Sequence, residues 1–205
     1  MQSRVLIACS AATVIAVLSS ASAPTRALAA DVTWVADPGH SIAQFTVRHL
    51  GFTKVNGSIL IGQAKIVTPQ DSNMPTAISA TLPAASIDTR NSDRDSDLKG
   101  PDWLDVGKYP TITFASTKIT PSDNGNFQIA GDLTIHGVTK PVTLAAHLDG
   151  TSVDGRGHHR ASYSASVTID RRDYGLLWAN TTPGGSIVAG NDVEIDLAIE
   201  AVAQP

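Results

Sequence analysis

The sequence predicts an all-β, antiparallel, single-domain fold. Three observations carry that expectation. From Asn126 to Leu148, apolar and polar residues alternate along two runs joined at Gly137, and period two is the signature of a strand with one buried face. The same alternation returns in Ser41–His49, Thr76–Leu82, Ile112–Thr117, Ala161–Ile169 and Val193–Ala201. Only one stretch, Asn91–Lys99, has a helical composition. Together these give about eight strands with regular turns.

Residues 1–29 read as a secretory signal peptide and residues 30–205 as the mature domain. Arg4 supplies the positive start, Val5–Leu18 the apolar run, and Ala27-Leu28-Ala29 an A-x-A cleavage site. The run is shorter than the ~20 residues a membrane span needs. Cys9, the one cysteine, lies inside this segment, so the mature chain has neither a disulfide nor a cysteine metal site. Arg4 and Arg26 leave with the signal, so 13 of the 15 basic residues stay against 19 acidic ones, a net charge near −6. That excess of acid argues against a nucleic-acid partner, which needs a basic stripe.

A first short strand is expected at Trp34–Asp37. In Ser41–His49, the residues Ala43, Phe45 and Val47 share one face, and His49 continues their parity at the rim. Asn56-Gly57 reads as a turn, followed by a strand over Ser58–Ile66. Thr68–Pro75 is polar and turn-like. Asn91 or Ser92 suits a helix N-cap, with acidic residues in the first turn, and Asp102–Asp105 reads as a second helical turn. Asp123-Asn124-Gly125 marks a hairpin turn into the Phe127–His136 strand. In its partner, Pro141 opens the strand where a ladder donor is dispensable.

The apolar faces mix large side chains with Gly131, Ala146, Ala161 and Ala165. An eight-stranded barrel with small inward residues holds one elongated apolar ligand. A sandwich whose sheets fill each other has the same periodicity, and the residues alone do not choose between them. Arg94-Asp95 on the short helix reads either as a polar cluster at a pocket mouth or, more plainly, as a solvated helix face. The six histidines show no chelating spacing, so no metal is expected. No G-x-S-x-G elbow or phosphate-cradling glycine loop is present.

Several motifs occur in one order and spacing. They are His40-Ser41-Ile42 with Phe45 and Val47-Arg48-His49-Leu50-Gly51, then Gly57 in the expected next turn, and then Ser86-Ile87-Asp88-Thr89 with Arg94-Asp95, Leu98, Asp102 and Leu104-Asp105. Tyr109-Pro110 with Ile112 and Phe114 follows, and Gly131–Val142 closes the series. This series resembles the YceI family of periplasmic lipid-binding proteins along nearly the whole mature chain. Asp97 departs from the histidine common in that family before Leu98. The resemblance implies an extended, eight-stranded, antiparallel, lipocalin-like barrel with a short helix over one end. It also implies a tunnel for a polyisoprenoid or similar amphiphile, with no cofactor beyond that lipid.

On this reading Phe45, Val47, Phe114, Leu133 and Ile135 face the tail, while His49, Arg94 and Asp95 stand at the head-group end. The expected role is a periplasmic or secreted, non-enzymatic lipid carrier. The alternatives are an enzyme acting on a lipid head group through His49 with Asp95 or Asp97, and an accessory partner of a membrane redox protein. A homodimer is compatible with a barrel edge or mouth. Replacing Leu133 by Trp is expected to block the tunnel without unfolding the chain, because Gly131 nearby leaves room.

Overall fold

A computed structural model describes residues 30–205; the expected signal peptide and cleavage site lie outside the described residues. Ten strands are present: β1 (Asp31–Ala36), β2 (Ile42–His49), β3 (Thr53–Leu60), β4 (Gln63–Pro69), β5 (Ala77–Pro83), β6 (Thr111–Pro121), β7 (Asn126–Ile135), β8 (Val138–Val153), β9 (His159–Asp170) and β10 (Ala189–Ala203). One α-helix, α1 (Ser92–Lys99), lies between β5 and β6.

The sheet closes on itself. β10 pairs along one edge with β9, and along the other with β2 and then β1, Val193 lying against Val47 and Trp34 against Ala203. β1 and β2 are thus one broken stave, and β3 and β4, paired with them in turn, are another. Eight staves run up and down around a closed antiparallel barrel. Closure leaves no long open edge, which removes the aggregation hazard of an unpaired strand. One rim carries the β2–β3 turn, the long β5–β6 connection with α1, the β7–β8 turn and the β9–β10 connection. The opposite rim carries the β4–β5, β6–β7 and β8–β9 turns and the C-terminus.

The Asn126–Leu148 hairpin forms as expected, with register from Asn126 against His147 to Ile135 against Val138. Its second strand begins earlier than Pro141, which lies inside β8 opposite Asp132. β9 pairs with β8 only from Ala145 onward, so Pro141 sits on a stretch with a free edge, where a missing donor costs nothing.

Asn56-Gly57 is not a turn. It lies within β3, and the chain reverses at Leu50-Gly51, both at positive φ. The Ser58–Ile66 strand is broken at Ile61-Gly62. Gly57 is there for space: a Cβ would lie 2.3 Å from Cζ of Phe45, its cross-strand partner. Gly131 has the same task. A Cβ there would come within 2.5 Å of both the Phe114 ring and the Ala115 carbonyl. The space that Gly131 leaves is therefore taken by the Phe114 ring and is not what would admit a Leu133→Trp substitution.

Asp102–Asp105 forms turns rather than helix, tied back to α1 by Leu104 N–H donating to the Leu98 carbonyl at 3.1 Å. Thr68, read as turn, is fully buried in β4 and accepts a hydrogen bond from Trp34 Nε1 at 3.0 Å.

At the rim away from α1, Arg160 joins three elements. Its guanidinium donates to Asp37 at 2.9 Å, to Asp154 at 3.0 Å and to Glu200 at 2.5 Å. Arg160, then His40, lower the Asp37 carboxyl to about 2. Asp37, Glu200 and His40 present ligand atoms close enough for a cation, but Arg160 already supplies the positive charge between the two carboxylates.

Two predictions follow from the packing and from this ion cluster. Gly131→Ala should destabilise the protein by about 1–3 kcal/mol, as overpacking does, and a thermal melt checks it; an unchanged midpoint would show that Phe114 has another place to go. A carboxyl lowered in the folded state contributes stability above its ordinary range and loses it as pH falls toward its folded value. The melting temperature should therefore drop between pH 4 and pH 2, and Arg160→Gln should flatten that drop.

Candidate ligand cavity

Alternation sorts the side chains of each stave. On β10, Val193, Ile195, Leu197 and Ile199 turn inward, while Asp192, Glu194 and Asp196 turn out. Several inward residues, among them Phe45, Val47, Val167 and Ile195, are only half-buried although they point away from bulk solvent. Their remaining exposed area faces a space inside the barrel. That cavity measures about 500 Å³ and is lined almost wholly by apolar side chains. Ligand pockets occupy about 300–1,000 Å³.

The floor is closed by Ile66, Phe127, Ile129, Leu144 and Tyr163. Phe127 and Tyr163 meet edge to face at 6.4 Å, the geometry aromatic quadrupoles favour. The Tyr163 hydroxyl donates to the Asn73 carbonyl at 2.8 Å, and burial pushes its pKa up to about 12. Ile112, Leu133, Ile135 and Ile169 form the upper wall.

The other end carries the polar groups. Asn91 caps α1, its side chain accepting from Arg94 N–H at 2.9 Å. Thr89, 3% exposed, is held from both sides. Arg94 donates through Nε to Thr89 Oγ1 at 2.8 Å and through Nη2 to the Thr89 carbonyl at 2.9 Å. Asp95 Oδ1 accepts from Thr89 N–H at 2.8 Å and from Thr89 Oγ1 at 2.5 Å. These bonds fix α1 to the segment that follows β5.

Of the sequence-predicted residues, Phe45, Val47, His49, Arg94, Phe114, Leu133 and Ile135 all line the cavity. Asp95 does not: its carboxylate is turned to Thr89. His49 stands exposed at the rim, where β2 ends against Ala189. Asp97 also reaches the mouth.

Among the lining residues that sequence reasoning missed are Trp103, Arg171 and Trp178. Arg171 is 3% exposed, and its guanidinium donates to the backbone carbonyls of Gly190, Leu176 and Ala189. It lies 5.2 Å from the ring of Trp103, which stacks at 5.1 Å on Trp178. The parity of β9 was the available signal, because Ala161, Tyr163, Ala165, Val167 and Ile169 make residue 171 the next inward position.

A closed eight-stranded antiparallel barrel around one apolar cavity, with a short helix at its polar end, is a lipocalin-like architecture. The particular family follows from the sequence: residues 34–201 match the YceI-like domain, and the chain belongs to that family. A UPF0312 protein of Pectobacterium atrosepticum is 33% identical over 94% of this chain and 95% of its own length. Another, of Shewanella putrefaciens, is 34% identical over 88% of this chain and 91% of its own length. Among solved structures, a Campylobacter jejuni YceI protein is similar at 27% identity with a TM-score of 0.63, covering 77% of this chain and 90% of that one. A polyisoprenoid-binding domain from Saccharophagus degradans shares the fold, with a TM-score of 0.60 at 12% identity, over 83% of this chain and 98% of that domain.

If Asp95 anchors α1, Asp95→Ala should destabilise ligand-free protein by about 1–3 kcal/mol, because the buried Thr89 N–H loses its acceptor. Thermal melts of lipid-stripped protein check this. A variant that melts like the parent would show that α1 is held by other contacts.

Proposed function

We propose that this protein carries an amphiphilic lipid of polyisoprenoid type, with its tail in the barrel cavity and its head at the end covered by α1. The carrying observation is the cavity of about 500 Å³, closed by apolar side chains at one end and reached by Arg94, His49 and Asp97 at the other. The neighbour from Saccharophagus degradans, described as a polyisoprenoid-binding domain, supports the choice of tail.

Burial supplies the affinity. At ~0.8 kcal/mol per methylene-sized group, one five-carbon unit gains roughly 4 kcal/mol gross. Ordering of tail and wall offsets much of that, so two or three buried units suffice for useful binding without covalent chemistry. The polar groups nearest the mouth are engaged in holding structure: Arg94 and Asp95 share Thr89, and Arg171 holds backbone carbonyls. This favours carriage over catalysis. The signal-like residues 1–29 make the periplasm, or the exterior, the proposed place of action. A long prenyl chain needs a carrier to cross water there.

Ile195 faces Val167 across the β10–β9 ladder, and both project into the cavity. Ile195→Trp should fill the lumen and abolish uptake of a C20 prenol, while the circular dichroism spectrum stays native. Native mass spectrometry of protein incubated with the prenol reads the outcome. Uptake by the variant equal to the parent's, or no uptake by the parent, would refute carriage in the barrel.

A further inference from the structure

Arg171 is a buried cation in the wall of an apolar cavity, with no carboxylate in contact among the described residues. The adjacent Asp170 is occupied by Arg172, whose Nη2 lies 2.5 Å from it. Three of the five guanidinium N–H groups of Arg171 reach backbone carbonyls, which leaves two donors and the full charge. Burial pulls its pKa down, with Asp170 opposing, yet an arginine stays protonated near neutral pH. A buried charge without a counter-ion is costly. Carbonyl dipoles and the Trp103 face offset that cost only in part.

We propose that Arg171 is the recognition point for an anionic oxygen head, a phosphate or a carboxylate, on the lipid whose tail fills the barrel. This rests on the carrier reading and adds the charge of the ligand to it. A guanidinium offers a planar fork suited to such oxygens. Trp103 covers one face of that fork, and Trp178 stacks on Trp103, so the plane is held for contacts in its own edge. Arg94, also free of carboxylate contact at the hydrogen-bond level, lines the same cavity. Asp97 is the opposing charge there, but it is exposed and screened by water.

The competing role for Arg171 is a clamp on the β9–β10 connection alone. A clamp makes the barrel tighter or looser for every tail equally, whereas an anion site discriminates between heads. The experiment therefore compares geranylgeranyl phosphate with geranylgeraniol, which share one tail, and palmitate with hexadecanol as a carboxylate pair, using full-length mature protein. The expected result is a preference of about 10-fold or more for the anion in at least one pair. Arg171→Gln should bring that ratio to near one with alcohol binding retained. The pair that discriminates says whether the head is phosphate or carboxylate. Equal binding within both pairs in the parent would overturn the anion site and leave lipid carriage standing. Binding of none of the four probes would overturn carriage and the anion site together. If Arg171→Gln does not fold, Arg171→Met takes its place, and a parent-like ratio in the folded variant would move the anion preference to Arg94 and overturn the site at Arg171.

Discussion

Two phenylalanine rings and two glycines keep this barrel hollow. Phe45 rests where a side chain at Gly57 would be, and Phe114 where one at Gly131 would be. Large side chains pointing inward normally fill an eight-stranded barrel. Here each ring is drawn back toward the wall by the missing Cβ of a neighbouring stave, so a long apolar lumen survives beside it. The small residues in the alternating pattern thus do two different things. Ala146 lines the lumen, whereas Gly57 and Gly131 accommodate rings.

Keeping the interior open forfeits contacts that a filled core would make, and the structure compensates at its ends. Phe127, Tyr163, Trp34 and Ile66 close one end as a compact core. Ile87, Leu104, Tyr174 and Leu176, with the polar lock on Thr89, secure the other. Arg160 ties three elements at the rim away from α1. A lipid that binds only the folded state adds stability by mass action, so the loaded protein is expected to melt at the higher temperature.

Much of this was legible in the sequence because it depends on local pattern. Period two placed Phe45, Val47, Phe114, Leu133 and Ile135 on inward faces, the hairpin at Asn126–Leu148 declared itself through its turn, and Asn91 was a readable cap. The rest depends on partners distant in the chain. Gly57 gives the same local signal whether it makes a turn or admits a ring, and only Phe45 across the ladder decides. That two staves are each built from two strands shows only once β10 is seen to pair with both β1 and β2, and those in turn with β4 and β3. Arg171 occupied an inward position by parity, but a charged residue after Ile169 reads as the end of a strand. Asp95 was recognisable as part of the helix, while its bond to Thr89 required the fold.

Carriage as proposed places an apolar tail in the lumen between these rings. The most direct measurement is NMR of protein loaded with geranylgeraniol, with isotope-filtered NOEs between tail protons and labelled Ile, Leu and Val methyl groups. The account predicts contacts to Ile195, Val167, Leu133 and Ile135 and none to outward methyls such as Leu60 or Val153. Tail contacts confined to outward methyls would contradict it.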